Sequence, residues 1–309
     1  MLLKARHRCL RLLCLTAFCC GLAALSGCHL LNLYPTPPEK TDVAKKDTAR
    51  SAAPPEAVGL PCKYQNRVSQ YVFVSDFEIK ADLPLFKELS DMRDLVHKTL
   101  QLPSSNNVVQ VYLFEDADRY ERFMKSKYPD LPKRRAFFIA QPRIGGEELL
   151  VYTYWGNGDR IQQDLRHELT HALLHSVLKD VPLWLDEGIA EYFEIAPSKN
   201  TINAEHVKQL RQSPNGQPKF DLARLEDLKE VEQMNPAEYR EAWAWVHLML
   251  HTNPEARKVL IAYLKDLRST KSPGSLRTRL ATIFPTPETA LERHLTMIDQ
   301  YRRPALAEK

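Results

Sequence analysis

His167 and His171 stand four residues apart in RHELTHALLH (166–175), with Glu168 directly after the first. Four residues make about one helical turn, so the two imidazoles share a face and can reach one tetrahedral ion. Glu168 lies where a carboxylate can take a proton from water held by such an ion. Further on, VPLWLDEGIAEYFEIA (181–196) carries Glu187 and Glu191, again four apart. Residues 172–186 suffice to end one helix, turn, and bring a second alongside. Glu187 is then the natural third ligand, leaving a fourth position on Zn2+ open for water, as a hydrolytic site requires. Asp186 points away from Glu187 and is expected to cap or hydrogen-bond. His175 lies about 12 Å up the axis from His167, too far to share the ion, and reads as a flanking surface or packing histidine. HExxH alone arises by chance, and Asp186, Glu187 and Glu191 alone could be a solvated face. The two segments together carry the metal reading.

These side chains need two adjacent helices. Asn157 or Asp159 can cap the first, which is predicted to run to about Leu178. Ile161, Leu165, Leu169, Leu173 and Val177 repeat every four residues as its core stripe. Pro182 can start the second helix. Upstream, 70–79 looks like a strand and 106–116 alternates like one, while helical spacing predicts a helix at 82–102 and 118–128 reads as another. RRAFFIAQ (134–141) and EELLVYTYWG (147–156) read as a hairpin turning through Gly145-Gly146. The expected class is α+β: a small mixed β-sheet half over 58–158, then a mainly helical half over 159–309.

The formal charge is +4, and Lys4, Arg6, Arg8 and Arg11 account for all of it. The remaining chain is neutral, which gives no electrostatic case for nucleic acid. Five of the six cysteines fall within the first 28 residues, leaving only Cys62 in the folded part. That distribution excludes a disulfide framework. The basic start, the apolar run Leu12–Leu25 and the small residues after it have the layout of a secretory signal peptide. Its end, LSGC (25–28), resembles the lipobox of bacterial lipoproteins. That resemblance implies cleavage after residue 27, lipid on Cys28, and a cell-envelope location. His29 stands where an Asp would resemble an inner-membrane retention signal, so the outer membrane, facing the periplasm, is expected. The alternative is an uncleaved membrane helix over Leu12–Leu31. Residues 28–57, rich in Pro, Lys, Ala and Thr, read as a tether.

HELTH followed by PLWLDEGIAEYFE resembles the gluzincins of peptidase clan MA, and in particular the bacterial gluzincin-like domains, over about residues 164–194. A weaker likeness continues into YREAWAWVHLML (239–250). The resemblance implies a zincin-like fold and a zinc metallopeptidase acting on peptide or protein. It implies zinc on His167, His171 and Glu187, with Glu168 as general base. The spacer before Glu187 is shorter than in the best-known branches, and the Gly-x-Met-Glu-Asn block of aminopeptidases is missing. The metzincin pattern is also absent, since Leu174 and Val177 stand where it has Gly and His. Glu191, one turn after Glu187, is expected to accept the far ring N–H of a ligand histidine, His167 in the first instance. Among Tyr192, His206, Tyr239, His247 and His251, Tyr239 is the expected oxyanion donor, because it opens the segment where some branches place a catalytic tyrosine. The strand Glu147–Tyr154 is expected either to offer its edge to an extended peptide or to be an ordinary half-buried strand. Two other readings are a retired protease fold serving as a lipid-anchored binding or assembly protein, and a structural zinc site. Intact ligand and base positions argue against the first, and an open coordination position argues against the second.

Overall fold

The computed structural model describes residues 58–156, 159–196, 202–212, 220–270 and 273–300. The expected signal peptide, Cys28 and the expected tether lie outside them. Five strands form one sheet in the order β1-β2-β3-β5-β4: β1 (Tyr64–Val68), β2 (Tyr71–Ser75), β3 (Val109–Phe114), β4 (Ala136–Arg143) and β5 (Gly146–Tyr154). The β2–β3 and β3–β5 pairs are parallel, and the two outer pairs are antiparallel. Parallel neighbours need crossovers. Helix α1 (Pro84–Leu100) lies between β2 and β3, and α2 (Ala117–Lys127) lies between β3 and β4. The chain is therefore mixed α and β, with the sheet in the N-terminal half and mostly helices after it. No helix among the described residues is long and apolar enough to cross a membrane.

Side-chain alternation divides the sheet between two cores. Phe138, Ala140, Leu149 and Val151 join the main core, while Phe137, Ile139, Leu150 and Tyr152 pack with Tyr120, Phe123 and Met124 of α2. The predicted hairpin pairs as expected, with Arg143 opposite Gly146. Strand β1 adds to the predicted strands. All of its residues are exposed or half-buried, so no apolar alternation marks it. The expectation that Glu147–Tyr154 offers its edge is corrected. Strand β5 is bonded to β3 on one side and β4 on the other, and the edge belongs to β4.

Helix α3 (Asp159–His175) follows the sheet and ends one turn short of Leu178. Of its two predicted caps, Asn157 lies outside the described residues and Asp159 is the first helical residue. Ile161, Leu165, Leu169 and Leu173 are buried as the core stripe. Helix α4 (Leu183–Glu194) starts after Pro182 and is buried along nearly its whole length, as expected of a helix enclosed on all sides. After α5 (Ala204–Arg211) and α6 (Leu222–Asp227) comes α7 (Pro236–His251). It is started by a capping box between Asn235 and Glu238 and by Pro at its first turn. Helix α7 packs closely against α4. The approach is close enough that a Cβ on Gly188 would lie 2.6 Å from the Ala242 carbonyl oxygen. Helices α8 (Pro254–Asp266), α9 (Leu276–Ala281) and α10 (Pro287–Thr296) complete the half.

Candidate metal centre

Helices α3 and α4 run antiparallel, so their polar pairs step in opposite directions. His175 Nε2 is 3.0 Å from Asp186 Oδ2 at one end, and His167 Nδ1 is 3.0 Å from Glu194 Oε2 at the other. Eight residues back along α3 match eight forward along α4. Between these pairs, Glu187 Oε2 lies 3.4 Å from His167 Nε2 and 3.6 Å from His171 Nε2. The three residues form a group whose ligand atoms all lie within 4.8 Å of one another. Ligands about 2.0–2.1 Å from a tetrahedral zinc ion stand about 3.3 Å apart, so these separations fit such an ion. The far nitrogen of each imidazole faces a carboxylate, since His171 Nδ1 is 3.1 Å from Asp186 Oδ1. Carboxylates in that position fix the tautomer and orientation of a metal-binding imidazole.

One expectation is corrected here. Glu191 does not take the ring N–H of His167; Glu194 does. Glu191 instead receives His206 Nε2 at 2.8 Å. The reason is the register of the helices: Glu194, near two turns past Glu187, reaches the level of His167 on α3. Buried Arg166 holds this end of α4 by donating to the Glu194 and Ile195 carbonyls and pairing with Glu88 at 3.1 Å. Cations are favoured at a helix C-terminus. His175 is buried, and Asp186 bridges it to His171, so both have a defined structural task. A carboxylate seven residues after Glu187 was a visible signal for Glu194, but the antiparallel register was needed to use it.

The charges reinforce one another. Burial alone would lower the His167 pKa, yet Glu187 and Glu194 lift it well above its ordinary value. His171 is likewise pushed up to about 9, against burial, by Asp186 and Glu187. Burial opposes ionisation of Glu187, and the two histidines outweigh it and hold its carboxyl well below the usual range. These contacts favour an anionic Glu187 between the two imidazoles. Glu168 is half-buried beside His167, and its charge reaches both His167 and Arg134.

The candidates for an oxyanion donor separate clearly. Tyr192 bonds to His251 at 2.8 Å, His206 to Glu191, and His247 to His294 at 2.7 Å, all in or against the helical core. Tyr239 is half-buried at the start of α7, close enough to Glu187 and His167 for their charges to act on it. Burial and Glu187 raise its pKa while Arg134 opposes them, so the phenol keeps its proton at neutral pH. Arg134, just ahead of β4, donates to the Tyr239 hydroxyl at 3.0 Å, and its guanidinium carbon lies 5.9 Å from the ring centre.

A family model described as a protein of unknown function, DUF1570, matches residues 162–274. The matched span holds the two histidines, Glu168, Glu187, Glu194 and Tyr239, and leaves the sheet and Arg134 outside. A comparison with curated proteins finds no match.

Proposed function

We propose that the chain is a zinc-dependent peptidase of gluzincin type, with a zincin-like fold, tethered by lipid on Cys28 in the bacterial cell envelope. The observation that carries the reading is the convergence of His167 Nε2, His171 Nε2 and Glu187 Oε2, each imidazole backed by its own carboxylate. A zinc ion bound there supplies Lewis acidity to a peptide carbonyl and to water. Glu168 takes the proton of the attacking water and delivers it to the departing amine. Tyr239 donates its hydroxyl hydrogen to the oxygen that becomes negative as water adds. Glu194 and Asp186 keep the imidazoles oriented. The free side of β4 offers backbone groups to an extended substrate.

The test is metal analysis of the purified full chain followed by digestion of a peptide library. About one zinc per chain is expected, with most of it lost in His167→Ala, His171→Ala and Glu187→Ala. A chain that holds zinc but cleaves nothing favours a retired fold used for binding. Cys28→Ala is expected to release the protein from membranes or block its processing.

A further inference from the structure

We propose that Arg134 is a carboxylate-recognition residue, selecting peptides that present a carboxylate beside the bond to be cut. The proposal rests on the peptidase reading of the same site and deepens it.

Several other arginines with part-buried or buried side chains are matched to carboxylates. Arg135 meets Asp164 at 2.9 Å, Arg166 meets Glu88 at 3.1 Å, Arg119 meets Asp76 at 2.8 Å and Arg277 meets Glu288 at 2.7 Å. Arg134 is half-buried, and among the described residues its side chain bonds only to the Tyr239 hydroxyl. A phenol oxygen occupies one of five guanidinium N–H groups and supplies no counter-charge. Withdrawing a cation from water without an anion is costly, and a planar fork of donors matches a carboxylate with two parallel bonds. The charges of Glu187 and Glu168 reach Arg134, but neither carboxylate pairs with it, and Glu187 is committed between two histidines.

Position supports the same assignment. Arg134 lies two residues before Ala136, where edge strand β4 begins. It touches the tyrosine that stands beside the metal-binding group. An extended chain laid along β4 has Arg134 at one end of its track. The shared chemistry is a carboxylate, which a substrate can supply as its chain terminus or as an Asp or Glu side chain.

Two matched probe pairs separate these sources: N-acetyl-phenylalanine against its amide, and N-acetyl-aspartate amide against N-acetyl-asparagine amide. Binding to the zinc-loaded full chain is measured by calorimetry, then repeated on the metal-free chain to remove ligation of the carboxylate by zinc. Hydrogen bonds to a charged group predict a preference for the acid of about ten- to a hundredfold. The pair that shows the preference identifies the source. Arg134→Met should bring acid and amide to near parity, with melting temperature and zinc content unchanged. Arg134→Lys, which keeps the charge but not the fork, should retain only part of the preference. Equal binding of acid and amide by the wild type overturns the proposal, as does full preference in Arg134→Met. Should Arg134→Met fail to fold, full preference in Arg134→Lys overturns it instead. The two readings fail separately. Acid preference without peptide cleavage removes the peptidase and keeps the carboxylate site, while cleavage without acid preference does the reverse.

Discussion

His167 Nδ1 and Glu194 Oε2 lie 3.0 Å apart although 27 residues separate them in the chain. The contact joins two antiparallel helices at the level of the candidate metal-binding group. Glu194→Gln is expected to weaken zinc affinity by about 10–100-fold, measured by competition with a chelator, because it loses the charge that holds the imidazole. Glu191→Gln should change the affinity little, since Glu191 is bound to His206. Equal losses in both variants would sink the assignment.

Glu168→Gln should keep zinc and fold, because Glu168 is not among the converging ligands. Peptide cleavage should fall by about 10²–10⁴, the usual worth of a positioned general base. Wild-type turnover in that variant, with zinc retained, would exclude Glu168 from proton transfer.

Tyr239→Phe removes one hydroxyl and leaves the ring. With zinc content and melting temperature matched to wild type, turnover should drop by about 10²–10³. Turnover within about twofold of wild type, far short of that range, would assign Tyr239 to packing and to Arg134 alone.

Gly188→Ala tests the approach of α4 to α7. Alanine brings a helix-propensity gain of up to about 1 kcal/mol. Against this, the new methyl meets the Ala242 carbonyl oxygen at 2.6 Å and carbon at 2.8 Å, backbone that cannot swing aside. Overpacking costs about 1–3 kcal/mol or more, so net destabilisation is expected in urea titrations, with some loss of zinc because Glu187 is the neighbouring residue. A variant as stable as wild type would contradict the packing described.

Acid should destabilise the helical half through His247 and His294. Burial, with the charge of His251, lowers the His294 pKa to about 3, and burial with the charges of His251 and His294 lowers His247 well below its ordinary value. Both stay neutral when folded and gain protons more readily when unfolded. Stability is therefore full above about pH 6.5 and falls as pH drops below it, by about 1 kcal/mol per pH unit for His294 down to about pH 3, with His247 acting in the same direction. His171, pushed up to about 9, acts in the opposite sense and above this window. Chemical denaturation at pH 7 and pH 5 should show a smaller loss in His294→Gln than in wild type. An unchanged acid slope would contradict the neutral cluster.

Local physics made much of this protein legible in the sequence. Four-residue spacing places His167 with His171 on one helical face whatever surrounds the helix, and short apolar runs on either side of Gly145-Gly146 mark β4 and β5 without a partner in view. Non-local pairing required the tertiary structure. Sheet order decided that β4 rather than β5 has the free edge, because strand neighbours are chosen by crossovers and not by any one strand's residues. The weakly patterned β1 became a strand through pairing with β2. Helix register decided that Glu194 rather than Glu191 backs His167, since one turn of offset between two helices leaves no trace in either helix alone. The meeting of Arg134 with Tyr239, 105 residues apart, likewise exists only because the sheet and α7 close on the same site.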